Sequence, residues 1–224
     1  MSTPTKLSID VPGDAPVSGA IHAPSRKPSG IAFAIAPGAG TTMDNPFLVA
    51  VANGLAERGH TAMRFNFGYQ DRGSRRPDPQ KKLIATYRAA AEALRSRGAA
   101  RLVIGGKSMG GRMASLLAAE GFACDGLVFL GYPLHPAGKP EQMRDGHLVN
   151  VKPPMLFVQG TRDKLCDLAL LRPVLARVGA RAKLHEVAGG DHSFEVLKRD
   201  GRSPEEVLAE VIDAVATWAE ETLS

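Results

Sequence analysis

Arg101-Leu102-Val103-Ile104-Gly105-Gly106-Lys107-Ser108-Met109-Gly110-Gly111-Arg112-Met113-Ala114 decides how the rest of this chain is read. Arg101 through Gly105 has the apolar run of a short buried strand, and a helical run follows from Arg112 through Glu120. Between them, Gly106-Lys107-Ser108-Met109-Gly110 fits G-x-S-x-G, with one serine at the apex of a sharp strand-to-helix turn. So tight a turn crowds the residues two positions either side of the serine, and glycine relieves the crowding because it has no Cβ. The turn would lift the Ser108 hydroxyl clear of the sheet. It would also aim the Met109 N–H at the place a carbonyl oxygen would occupy.

Outward from this stretch, strand and helix patterns alternate. Ile31–Ala36 is apolar at every position, as a strand covered on both faces should be. Pro46–Arg58 carries Phe47, Leu48, Val51 and Leu55 at helical spacing, with Pro46 in the first turn and Gly59 after the end. Thr61–Phe67 reads as a strand, Gly68–Gln80 as a charged loop and Lys81–Arg97 as a helix. Gly126–Leu130 and Met155–Gln159 read as strands, Asp167–Val178 as a helix and Ala182–Val187 as the last strand. Ser203-Pro204-Glu205-Glu206 opens a final helix to Leu223 with a capping box. Ahead of all these, Leu7–Val11 and Val17–His22 flank Pro12-Gly13-Asp14 as an antiparallel hairpin. The expected fold is α/β, a mainly parallel sheet with this hairpin at one edge and helices on both faces. The whole chain, 1–224, is expected to form one domain.

Composition narrows the function classes. The 224 residues suffice for one good core, and 44% of them are hydrophobic, which fits an ordinary globular chain. The formal net charge is +5, but the basic residues are scattered among acidic ones, so no nucleic-acid partner is expected. No apolar run is long enough to span a bilayer, and Met1–Lys6 lacks the apolar core of a secretory leader. The two cysteines, Cys124 and Cys166, have no metal-like or redox-like spacing and read as reduced thiols in the cytoplasm. Neither a metal nor an organic cofactor is implied.

In a parallel sheet the site lies beyond the C-terminal ends of the strands. A serine there needs a base, and the base needs an orienting carboxylate. Four histidines follow Ser108: His135, His147, His185 and His192. His185 falls inside the last strand, and His135 and His147 lie in the long loop Gly131–Lys152, where they could line the rim. His192 sits in Gly189-Gly190-Asp191-His192-Ser193-Phe194, a glycine-rich turn that lets a histidine fold back over the sheet, and is the expected base. The expected acid is Asp163, just past the strand Met155–Gln159. Asp167 is placed to cap the next helix, and Asp191 adjoins His192 too closely to face it. A second oxyanion donor beside Met109 is expected in Pro37-Gly38-Ala39-Gly40. Pro37 has no N–H, and Ala39 is preferred with Gly40 as the alternative.

With these residues in view, the chain resembles the α/β-hydrolase superfamily over nearly its whole length. Pro37–Asn45 and Gly105–Arg112 resemble a group of small, mostly uncharacterised bacterial hydrolases. That group is related to dienelactone-hydrolase-like proteins and to the hydrolase-like domain of a mammalian chromatin-complex subunit. The resemblance implies a Ser–Asp–His triad on Ser108, Asp163 and His192. Two departures stand out: Pro37-Gly38 where family members usually have His-Gly, and serine where dienelactone hydrolases proper use cysteine.

Gly131–Lys152 is too short and irregular for a lid domain, so the site should be open or barely capped. That favours a small soluble ester or thioester, cleaved through a Ser-His-Asp triad, with a partner-binding scaffold of low turnover as the competing reading. Arg72, Arg75 and Arg76 in the Gly68–Gln80 loop either steer an anionic acyl group or form a solvated surface.

Overall fold

The computed structural model of the chain describes residues 3–223, and its frame is one eight-stranded sheet in the order β1-β2-β4-β3-β5-β6-β7-β8. The strands are β1 Thr5–Ile9, β2 Val17–His22, β3 Ile31–Ala36, β4 Thr61–Phe65, β5 Arg101–Lys107, β6 Gly126–Leu130, β7 Met155–Gly160 and β8 Ala182–Val187. β1 and β2 pair antiparallel, β2 joins β4 antiparallel, and β3 to β8 run parallel. The helices are α1 Pro46–Glu57, α2 Gly68–Asp71, α3 Gln80–Arg95, α4 Met109–Ala119, α5 Leu168–Val178 and α6 Pro204–Leu223. This is the α/β-hydrolase fold, and among the described residues no lid domain stands between β6 and β7.

The chain steps from β3 out to β4, then back across β3 to β5. The crossover direction therefore reverses between β3 and β5, and the crevice opens at their C-terminal ends. Two apolar layers hold the sheet. On one face Phe65, Ile104 and Phe157 of the sheet share a core with Tyr87 of α3, Leu117 of α4 and Leu171 of α5. On the other Phe33 and Val103 share a core with Leu48 of α1 and with Val211 and Trp218 of α6. The buried Tyr87 hydroxyl donates to the Ala34 carbonyl at 2.7 Å and accepts from the Gly105 N–H at 2.7 Å, so α3 is tied to the β3–β5 seam.

Several element bounds differ from the sequence reading for local reasons. The first strand ends at Ile9, because Val11 already accepts the Asp14 N–H in the hairpin turn. β4 stops at Phe65, since Asn66 turns aside: its Oδ1 accepts the Met43 N–H at 2.7 Å and its Nδ2 donates to Asp71 at 2.7 Å. The first residues of the expected loop Gly68–Gln80 instead wind into α2, closed by the Gln70 Oε1 that accepts the Phe67 N–H. β5 runs two residues further, to Lys107, and α4 starts at Met109, directly after the serine. The capping box at Ser203 and Glu206 forms, with the Glu206 N–H on Ser203 Oγ at 3.1 Å and the Ser203 N–H on Glu206 Oε2 at 2.7 Å.

Candidate active site

Ser108 occupies the apex between β5 and α4 with φ 50° and ψ −114°, a conformation that side chains rarely adopt. The glycines around it make this possible. A methyl group on Gly106, itself at φ 145°, would lie 2.2 Å from the Ala36 carbonyl oxygen, and one on Gly110 would lie 2.4 Å from the same atom. The elbow thus closes directly onto the end of β3. The Ser108 N–H donates to the Leu130 carbonyl at 3.1 Å, which fixes the apex to β6 as well.

The structure brings together three side chains from three loops. His192 Nε2 lies 2.9 Å from Ser108 Oγ, and His192 Nδ1 lies 2.7 Å from Asp163 Oδ2. An ionised carboxylate can only accept, so Nδ1 carries the ring proton and bare Nε2 faces the serine hydroxyl. The Asp163 side chain is fully buried, and each of its oxygens accepts a further hydrogen bond from the protein. Gln159 Nε2 donates to Oδ2 at 2.5 Å and the Leu165 N–H donates to Oδ1 at 2.7 Å.

The two loops that carry Asp163 and His192 are laced together. The Arg162 N–H donates to the Gly190 carbonyl at 2.8 Å, and the Gly189 N–H donates to Thr161 Oγ1 at 2.9 Å. A methyl on Gly160 would meet the Gly190 and Asp191 carbonyl oxygens at 2.4 and 2.5 Å, so only glycine fits at the end of β7. Asp191 does not face His192. Its Oδ1 accepts the Ser193 and Glu195 N–H groups at 2.8 and 2.9 Å and shapes the turn. Asp167 caps α5 through the Ala169 N–H at 2.8 Å.

After β3 the chain makes a tight turn, Gly38-Ala39-Gly40-Thr41. Gly40 lies at φ 74°, and the Gly38 carbonyl accepts from Thr41 Oγ1 at 3.2 Å. The turn lies beside the elbow, where a methyl on Gly38 would touch Ser108 Cβ at 3.6 Å. The Tyr69 hydroxyl lies against the Gly40 N–H, while among the described residues the Ala39 N–H has no protein acceptor. Met109 is the first residue of α4, so its N–H has no intrahelical acceptor either. The loop beyond the turn is held by buried side chains of β4 and α2. Gln70 Nε2 donates to the Thr41 carbonyl, and Arg64 donates to the Met43 carbonyl and to Asp44.

Ser108, His192 and Ala39 open into a cleft of about 570 Å³ whose walls include Pro37, Phe47 and Leu48. Phe47 stacks on Phe194, ring centroids 5.4 Å apart, and Phe194 itself sits at φ 65°. No residue of the stretch 131–152 lines this cleft.

His135 and His147 are corrected from rim positions: the first is buried and the second half-buried, and neither lines the cleft. His135 Nε2 accepts the Asp167 N–H at 3.1 Å with the residue only 5% exposed. His147 folds back onto α4, its Nε2 2.7 Å from Ser115 Oγ. His185 sits on the edge strand β8 against Glu210 at 2.8 Å. Arg72, Arg75 and Arg76 do not line the cleft; Arg72 pairs with Asp78 at 2.6 Å and the other two are exposed.

Sequence reasoning missed Gln159, the partner of the buried carboxylate. The available signal was a lone amide closing the otherwise apolar strand β7. It also left the direction of Lys107 unread. Among the described residues no group of three or more His, Cys, Asp or Glu is arranged to hold a metal ion, and no helix is long and apolar enough to cross a membrane.

A family model described as an alpha/beta hydrolase domain matches residues 29–220. The chain belongs to the α/β-hydrolase family. Solved structures share this fold along the full length of the hydrolase. A lidless α/β serine hydrolase of Xanthomonas campestris is 22% identical with a TM-score of 0.76, over 100% of this chain and 97% of that one. A dienelactone hydrolase of Anabaena variabilis is 21% identical with a TM-score of 0.77, over 100% of both chains. An α/β serine hydrolase homologue from Coxiella burnetii is 19% identical with a TM-score of 0.76, over 97% of this chain and 98% of that one. At these identities the likeness is one of fold.

Proposed function

We propose that this hydrolase cleaves a small carboxylic ester or thioester through an acyl-enzyme on Ser108. The observation that carries the reading is the continuous relay Asp163–His192–Ser108, with contacts of 2.7 and 2.9 Å, at the mouth of an open cleft. His192 Nε2 takes the hydroxyl proton as Ser108 Oγ attacks the carbonyl carbon. Asp163 holds the imidazole in the tautomer this requires and stabilises the imidazolium. The Met109 and Ala39 N–H groups receive the oxyanion, a task suited to donors that have no other acceptor. His192 then protonates the departing alcohol or thiol, and a water deprotonated by His192 releases the acid.

The Phe47 and Leu48 walls favour a compact apolar acyl group, and with no lid over the cleft a long lipid chain would lie in water. Two unpaired cysteines fit a reducing cytoplasmic compartment. The test is hydrolysis of a panel of p-nitrophenyl esters and matching thioesters, acetyl to dodecanoyl, by wild type and Ser108→Ala. Turnover that peaks at short acyl chains and disappears in the variant supports the reading. Absence of turnover across the panel by folded wild type contradicts it and favours a binding scaffold.

A further inference from the structure

Lys107 stands beside the relay, yet the acyl-enzyme scheme gives it no task. As the last residue of β5 it directly precedes Ser108, and its half-buried side chain borders the cleft. Its Nζ donates to the His192 carbonyl oxygen at 2.5 Å and lies 5.4 Å from the centre of the Phe194 ring. Gly131, after β6, leaves room for it. A methyl there would lie 2.9 Å from Lys107 Nζ and 3.6 Å from His192 Cε1, so the cation and the imidazole border the same space beside Gly131. The ionisable groups facing Nζ are Asp163 from the loop after β7, and Asp191 and His192 from the loop after β8. Gly131 and Leu130 of the β6 end offer only backbone. Burial lowers the Lys107 pKa to about 8, against the pull of Asp163 and Asp191.

We propose that Lys107 is a positioning residue for the Ser108–His192 pair: its ammonium fixes the backbone of His192 from the residue next to the nucleophile. The inference rests on the reading of Ser108 and His192 as nucleophile and base. The strut joins the elbow to the histidine turn, 84 residues on, alongside the Oγ–Nε2 contact. Above pH 8 the ammonium loses its proton and the charge-assisted bond to the carbonyl weakens.

The test follows the second-order rate of labelling by a fluorophosphonate, read by intact mass across about pH 5 to 10. Wild type, Lys107→Met and Lys107→Arg are compared, with circular dichroism as the check on folding. Lys107→Met should label about tenfold more slowly on the plateau, because the base is no longer held in register. Its rate should also no longer fall above pH 8, because no ammonium is left to titrate there. A merely structural role would leave that decline in place. Lys107→Arg should keep the wild-type plateau rate and lose the decline above pH 8, since a guanidinium does not titrate there. Where Lys107→Met does not fold, the comparison of wild type with Lys107→Arg decides alone. Folded Lys107→Met with the wild-type plateau rate overturns the inference, as does a basic limb identical in wild type and Lys107→Arg. Wild type that labels at no pH contradicts the nucleophile assignment itself, a separate and recognisable failure.

Discussion

Gln159 Nε2 donates to Asp163 Oδ2 at 2.5 Å, the same carboxylate oxygen that receives the His192 Nδ1 proton. Its other amide atom, Oε1, accepts the Tyr132 N–H at 2.8 Å, so one fully buried side chain ties the acid to the chain leaving β6. Gln159→Leu removes both bonds at nearly constant volume. It strands the Tyr132 N–H in the interior and frees the carboxylate to turn. A loss of about 3–8 °C in Tm is expected from the unpaired buried group. A fall in kcat of about tenfold or more, with KM little changed, is expected from the loosened acid. Calorimetry and steady-state kinetics on the same ester check both.

The glycines of the elbow give a sharper contrast. At Gly106 and Gly110 an added methyl meets the Ala36 carbonyl oxygen at 2.2 and 2.4 Å, and backbone cannot yield as a flexible side chain would. Gly106→Ala and Gly110→Ala should each lose more than about 3 kcal/mol of stability or fail to fold. Gly146, in the irregular stretch after β6, has no atom within 4 Å of the methyl position and an ordinary φ. Gly146→Ala should stay within about 0.5 kcal/mol of wild type. Urea denaturation of the three variants measures the difference.

Stability should fall on the acid side of neutrality, and His147 is a principal reason. Burial, with Arg112 nearby, pushes its pKa down to about 4. The unfolded chain takes up this proton near pH 6.5 and the folded chain resists until about pH 4, so U gains protons first and N loses stability throughout that window. His22 and His60, both depressed by burial, act in the same direction. Tm is expected to drop between pH 7 and pH 4.5, and His147→Gln should flatten the slope in a pH series of thermal melts.

Arg75 and Arg76 are solvent-exposed and stand apart from the cleft. Charge reversal of both should leave kcat/KM unchanged for neutral and for anionic esters alike. A selective loss on anionic esters would restore them as steering residues.

The legible parts of this molecule were those written in local pattern. Gly106–Gly110 declared the elbow because a buried strand precedes it and a helix follows. His192 stood out because a glycine-rich turn after the last strand allows the chain to fold back. Asp163 and the cap Asp167 separated because only the second directly precedes a helical run. The illegible parts depend on contacts across the sheet. Nothing near His147 in sequence says that it folds onto Ser115, a residue of α4 that is 32 positions away. Asn66 and Gln70 end β4 and form α2 through bonds to Met43 and Thr41, so their role emerges only when both loops are placed. Lys107 reaches the His192 carbonyl past Gly131, a contact across the sheet that its own strand does not announce.

The most direct measurement is the intact mass of the protein after exposure to a fluorophosphonate, for wild type, Ser108→Ala and His192→Ala. A single adduct on wild type, none on Ser108→Ala and a rate reduced by about three orders of magnitude or more in His192→Ala is the expected result. An adduct that persists in Ser108→Ala, or folded wild type that takes none, would contradict the assignment of Ser108 as the nucleophile.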